Sequence, residues 1–138
     1  EDEEEGRTNM IEGAPRTQIM IVDDMKTNLE VMRGILDNIY DLTLCKSGYQ
    51  AIQYMKKNSF PDLIIMDVDM PEMTGIEATV KINEITGGTV PVLFVTAICD
   101  ARTVITCREL HAAGYIVRPY KPVYVKSEIE RILSGWRH

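Results

Sequence analysis

The sequence predicts an α/β protein built on a doubly wound, five-stranded parallel sheet, and three observations carry that expectation. Short runs rich in Ile, Val and Leu alternate with longer segments of helical period. The runs are oily throughout instead of alternating with polar residues, which suits strands covered on both faces. Two of them run straight into aspartate: residues 18–22 lead into Asp23 and Asp24, and residues 63–66 lead into Asp67, 43 positions after Asp24.

In chain order, strands are expected at 18–23, 41–45, 62–67, 91–96 and 114–118. Between them Leu29, Met32 and Leu36 mark one helical stripe, Ile52 and Met55 a second, and Ala78, Ile82 and Ile85 a third. Val104, Cys107 and Leu110 make a weaker fourth, and Val125, Ile129, Ile132 and Trp136 a fifth that closes the domain. All of these stripes read as core. Crossovers between parallel strands are right-handed, so the helices divide between the two faces of the sheet. Ligands of such sheets sit beyond the carboxyl ends of the strands, where strand order reverses. Asp23, Asp24, Asp67 and Thr96 all fall at expected strand ends.

A chain of 138 residues, 45% hydrophobic and 26% charged, suits one globular domain with a real core. Residues 1–17 hold six acids and two bases with two glycines and a proline, and read as an acidic flexible arm or linker ahead of a domain at 18–136. The remainder holds 15 acids against 13 bases, which leaves no basic footprint for a phosphate backbone, so direct nucleic-acid binding is not expected. No apolar run approaches the ~18 to 20 residues that cross a bilayer, and the acidic start is unlike a secretory signal. A cytoplasmic protein without membrane insertion is therefore expected. Cys45, Cys99 and Cys107 form neither an even set nor a Cys-x-x-Cys pair and read as reduced, packed thiols. Opening on Glu1 instead of Met suggests a processed terminus or a segment cut from a larger protein.

Four motifs then combine: IVDD at 21–24, LIIMDVDMPEMTG at 63–75, VTA at 95–97 and GYIVRPYKP at 114–122. In this order and spacing, over about residues 18–135, the chain resembles the receiver domain of two-component response regulators. The resemblance implies a flavodoxin-like three-layer sandwich with strand order 2-1-3-4-5. It also implies that Asp67 is a phosphoacceptor, taking a phosphoryl group from a kinase phosphohistidine. A carboxylate attacking an anionic phosphoryl group needs its charge neutralised and its geometry fixed, because phosphoryl transfer leaves a protein little else to improve. Mg2+ suits that task, since it prefers oxygen ligands at ~2.1 Å and keeps several waters. Asp24 and Asp67 are assigned as direct ligands, Asp23 as a ligand through water, and the main-chain carbonyl of Asp69 as the third protein oxygen. An acidic residue at 23 or 24 also suits a helix N-terminus, although that explains one aspartate and not two together with Asp67. Pro71 and Gly75 read as loop punctuation before the third helix.

Thr96, 29 residues after Asp67, is expected to donate its hydroxyl to a phosphate oxygen once Asp67 is modified. Tyr115 falls at the aromatic position that moves inward in the family when that threonine moves toward phosphate; a half-buried strand tyrosine is the plainer account. The cation departs from the family pattern. Receivers place a Lys-Pro with a cis proline after the fifth strand, whereas here Arg118-Pro119 occupies that slot, 22 residues after Thr96. Lys121-Pro122 follows three residues later, and Lys121 is the alternative phosphate cation. A planar, forked guanidinium is not equivalent to a compact ammonium.

The expected function is thus a phosphoacceptor domain of a two-component phosphorelay, with some autophosphatase activity of its own. Its expected partners are a sensor histidine kinase or histidine phosphotransfer domain, and a downstream protein or output domain at the fourth helix, fifth strand and fifth helix. A homodimer is left open, as is excision from a hybrid sensor kinase. Two alternatives stand beside it. One is a degenerate receiver that docks without phosphorylation, suggested by Arg118. The other is a haloacid-dehalogenase-type phosphatase, because Asp67-Val68-Asp69 imitates a nucleophile and general-acid pair, although Met70-Pro71 follows where that family has small hydroxyl or branched residues.

Overall fold

The computed structural model describes residues 16–98 and 100–135. Most of the expected acidic arm, Cys99 and Trp136 lie outside the described residues. Five strands and five helices alternate along the chain: β1 (Gln18–Val22), α1 (Lys26–Leu36), β2 (Asp41–Cys45), α2 (Gly48–Lys57), β3 (Leu63–Asp67), α3 (Gly75–Thr86), β4 (Val92–Thr96), α4 (Ala101–Glu109), β5 (Gly114–Val117) and α5 (Pro122–Gly135). Each strand end falls within one residue of its expected position. All four pairings are parallel, and the sheet runs β2-β1-β3-β4-β5, the doubly wound order expected from the sequence.

Alternate residues of the inner strands serve opposite faces, as the pleat requires. Met20, Val22, Ile64, Met66, Val92 and Phe94 pack with Ala51, Ile52, Met55, Ala78, Ile82 and Cys107 from α2, α3 and α4. Ile19, Ile21, Leu63, Ile65, Leu93, Val95 and Ile116 pack with Leu29, Met32 and Leu36 of α1 and Val125, Ile129 and Ile132 of α5. Two cores on one sheet make the three-layer sandwich. Each fully buried Leu, Ile, Phe or Met contributes roughly 1.5–3 kcal/mol relative to exposure, so the ladder of apolar residues in β1, β3 and β4 is the main stabilising element.

The continuous oiliness expected of the strands holds for β3 and β4, which are buried along their whole length, but not at the sheet edges. β2 is half-buried from Asp41 to Leu44, and β5 fully buries only Ile116. An edge strand has a neighbour on one side only, and its outer flank takes less helical cover. The weak fourth stripe matches a thinly buried α4, whose one fully buried residue is Cys107. Among the described residues, no helix is long and apolar enough to cross a membrane.

Side-chain caps specify the starts of α2, α3 and α4. Ser47 and Asp100 accept from the backbone of Gln50 and Thr103 to cap α2 and α4. Thr74 and Glu77 form a reciprocal capping box at α3, each side chain bonding the other's backbone N–H. That box seats Gly75 directly beneath the end of β3: the Gly75 N–H donates to the Val68 carbonyl at 2.8 Å, and a Cβ added to Gly75 would lie 2.0 Å from the Asp67 carbonyl oxygen. Gly75→Ala is therefore expected to destabilise the protein by about 3 kcal/mol, because a backbone atom must move. Gly34→Ala, in a helix and with nothing within 4 Å of the new Cβ, is expected to stabilise it by roughly 0.5–1 kcal/mol. Urea denaturation of the two variants tests both signs.

Candidate functional site

The site begins with the register of two strands. Val22 of β1 pairs with Met66 of β3, so the next residue on each strand, Asp23 and Asp67, leaves the sheet at the same edge. The Asp23 N–H donates to the Cys45 carbonyl at 3.0 Å, which holds Asp23 to the end of the β2 ladder. The turn into α1 brings Asp24 alongside. One carboxylate oxygen from each of Asp23, Asp24 and Asp67 lies within 4.8 Å of the others. Asp23 is 2% and Asp67 5% exposed, while Asp24 is half-buried.

Asp24 and Asp67 border an open depression whose rim also includes Asn28, Asp69, Thr96 and Arg118. Thr96 closes β4 fully buried, and its hydroxyl oxygen accepts from the Ile98 N–H at 3.2 Å. The Arg118 N–H donates to the Thr96 carbonyl at 2.8 Å, extending the β4 to β5 ladder by one residue. The Arg118–Pro119 peptide is cis. From there the guanidinium reaches back over the site, with Nη2 donating to Asp23 Oδ2 at 2.5 Å and Nη1 to Asp67 Oδ1 at 3.3 Å. Lys121 instead lies exposed at the start of α5, where its carbonyl accepts from the N–H groups of Tyr124 and Val125. The half-buried Tyr115 donates its hydroxyl to the Ile98 carbonyl.

Four contributors escaped the sequence reading. Asp23 Oδ1 accepts from the Met25 N–H at 2.9 Å and from Asn28 Nδ2 at 3.3 Å, so that carboxylate is fixed by the first turn of α1. A polar residue five positions after Asp23, on a turn that otherwise faces solvent, was the available signal for Asn28. Met70 and Ala97 also line the depression, and neither residue type advertises it.

The electrostatics are set first by burial and then by crowding of like charge. Burial first, and the Asp23 carboxylate second, push the Asp67 carboxyl up to about 6, while Arg118 pulls in the opposite direction and only partly offsets them. The donor set fits a hard divalent cation: three carboxylates against one guanidinium leave an excess of negative charge, and all the ligand atoms are oxygen.

The Asp67 shift has a consequence for stability without metal. A carboxyl whose folded value lies above its unfolded value of 3.8 contributes stability that is fully present below 3.8 and lost as pH rises through about 6. In EDTA, stability is expected to fall across that window, and Asp67→Asn to flatten the fall. At pH 7 the variant is expected to be more stable by about 1 kcal/mol, allowing for screening in an open site. Urea midpoints from pH 3.5 to 7 on both proteins check it.

Residues 19–130 match the response regulator receiver domain. The chain is 30% identical over 119 residues to the chemotaxis protein CheY of Halobacterium salinarum, covering 86% of this chain and 98% of that protein. It is 30% identical over 140 aligned positions to histidine kinase 3 of Arabidopsis thaliana, covering 86% of this chain but 14% of that protein. Among solved structures, the signal receiver domain of a signal transduction histidine kinase from Syntrophus aciditrophicus is similar with a TM-score of 0.76 at 32% identity, covering 88% of this chain and 93% of that one. The chain thus spans nearly all of one relative and a small part of another. With this fold, these carboxylates and these relatives, the chain belongs to the receiver domains of two-component response regulators.

Proposed function

We propose that this domain takes a phosphoryl group from a phosphohistidine onto Asp67, with Mg2+ at the acidic cluster, and changes conformation for a downstream partner. The observation that carries it is a nearly buried Asp67 carboxylate at a strand end, with two further carboxylates and one guanidinium converging on it. Asp24 and Asp67 would hold the cation directly, Asp23 through water, and the main-chain carbonyl of Asp69 would complete the protein's share. When bound, Mg2+ neutralises charge shared by the carboxylates and the phosphoryl oxygens.

Asp67 Oδ attacks phosphorus, and the bond from phosphorus to the imidazole nitrogen breaks with its electron pair returning to that nitrogen. Arg118 then takes up phosphoryl oxygens through its fork, which is geometry suited to a phosphate. Thr96 turns its hydroxyl from the Ile98 N–H to donate to the phosphoryl group, and Tyr115, tied to the Ile98 carbonyl, follows that loop. Lys121 would serve only if the loop after β5 rearranged. Water attack on the same phosphorus would return the resting state, the autophosphatase reaction.

The face of α4, β5 and α5 presents Ile105, Val117, Val123 and Tyr124 to solvent, with Val123 77% exposed, and is the proposed surface for the downstream partner. The phosphoryl donor would be a sensor histidine kinase or a histidine phosphotransfer domain, and the setting cytoplasmic.

Acetyl phosphate with Mg2+ tests the reading. Intact-mass measurement is expected to show one added phosphoryl group, mapped to Asp67 and absent in Asp67→Asn. Chelating the metal is expected to lower the rate of modification by roughly a hundredfold or more. Steady release of inorganic phosphate without an adduct would favour a phosphatase, and neither adduct nor turnover would favour a docking module.

A further inference from the structure

The cation that stands in the receiver's usual lysine slot is committed more closely to Asp23 than to Asp67. Arg118 Nη2 lies 2.5 Å from Asp23 Oδ2, against 3.3 Å from Nη1 to Asp67 Oδ1. The remaining oxygen of Asp23 already accepts two N–H groups, from Met25 and Asn28. With its side chain 3% exposed, Asp23 therefore has both oxygens engaged by protein donors. Asp24, by contrast, is half-buried and faces the depression.

We propose that Arg118 is a built-in competitor of the divalent cation: its guanidinium bridges Asp23 and Asp67 in the resting domain and must release Asp23 before the metal site is complete. This rests on the metal reading of the proposed function and assigns Arg118 a second task in it. Two features of arginine produce the competition. Its charge is permanent, so the clamp cannot be relieved by deprotonation. Its two terminal nitrogens can face two carboxylates at once in one plane, whereas a lysine ammonium is a single compact point on a flexible stem.

The clamp also couples the metal to the phosphoryl group. A phosphoryl group on Asp67 offers Arg118 oxygens of higher charge than Asp23 does, and their fork geometry suits a guanidinium. Moving to them frees Asp23 Oδ2, so Arg118 lowers metal affinity in the resting domain and stops doing so in the modified one. Ligands that relieve a shared competitor bind with positive cooperativity.

The test is Mg2+ titration by calorimetry on the wild type and on Arg118→Lys, which keeps the charge but removes the two-armed bridge. Arg118→Lys is expected to bind Mg2+ roughly ten- to a hundredfold more tightly, the equivalent of losing one charge-assisted hydrogen bond from the competing state. Equal or weaker binding in the variant overturns the clamp. An independent reading comes from the wild type alone: the guanidinium nitrogens of Arg118, followed by NMR, should show hindered rotation without metal that is lost as Mg2+ is added. Hindered rotation persisting at saturating Mg2+ also overturns it. Absence of Mg2+ binding in both proteins overturns the clamp and the metal site together. Equal binding sinks the clamp alone, leaving the Asp67 adduct from acetyl phosphate as a separate measure of the receiver function.

Discussion

Parallel pairing of β1 with β3 delivers Asp23 and Asp67 side by side at one edge of the sheet, and the repulsion between two nearly buried carboxylates is the constraint around which the site is organised. Two like charges some 4 Å apart repel by about 4 kcal/mol at an effective dielectric of 20, a large share of the 5–15 kcal/mol that stabilises an ordinary domain. The molecule relieves this in the ways its geometry permits. Burial, with Asp23 as the second cause, lets Asp67 keep its proton up to about 6, and Arg118 reaches across both carboxylates. A divalent cation would relieve it more completely, which is why an acidic cluster and a demand for metal go together. Proton, guanidinium and a bound cation would all draw on the same few oxygens, so each would weaken the others. That shared demand makes a static cluster responsive.

The remainder of the fold holds those oxygens still. Gly75 lets α3 start against the Asp67 carbonyl, and the Thr74 and Glu77 capping box fixes where that start falls. On the other side the bond from Arg118 N–H to the Thr96 carbonyl positions the guanidinium from the backbone, before any side-chain attraction acts. Asn28 and the Met25 N–H orient Asp23 from the first turn of α1. The site is therefore held by four strand ends and two helix starts, all rigid elements packed on two apolar cores.

The inner strands could be read from sequence because a strand buried on both faces has no polar residues to confuse its pattern, as LIIMD in β3 and VLFVT in β4 show. The edges were less readable. DLTLC in β2 is only half covered, and four residues of β5 carry one fully buried side chain, so hydrophobicity alone marks them weakly. Asp23, Asp24, Asp67 and Thr96 were identifiable because a polar residue ending an oily run is conspicuous. Arg118 over Lys121 was decided by spacing, and the geometry at the acidic cluster involves Arg118. What spacing could not convey is that Arg118 touches Asp23 as well as Asp67, since that contact joins residues 95 positions apart. The T-x-x-E signature at Thr74 and Glu77 is present in the letters and sharpens the reading of Gly75 as punctuation before the third helix, since it marks Gly75 as the first residue of α3.

Ile98 is where the proposed switch acquires a mechanical path. Its N–H is satisfied by the Thr96 hydroxyl, and its carbonyl receives the Tyr115 hydroxyl, so one loop residue links the end of β4 to the middle of β5. If Thr96 turns toward a phosphoryl group, the Ile98 N–H loses that acceptor and the loop loses that tie. A neutral hydrogen bond of this kind is worth about 1 kcal/mol net, while one to a charged oxygen is worth roughly 1.5–3 kcal/mol. The exchange is therefore favourable by a margin of the same order as thermal energy to a few times that value. On the proposed reading, a modification at Asp67 would draw Thr96 inward by shifting the balance between these two arrangements. Tyr115 would carry that shift to the face formed by α4, β5 and α5, because its ring packs against the α2, α3 and α4 core while its hydroxyl is tied to the Ile98 carbonyl.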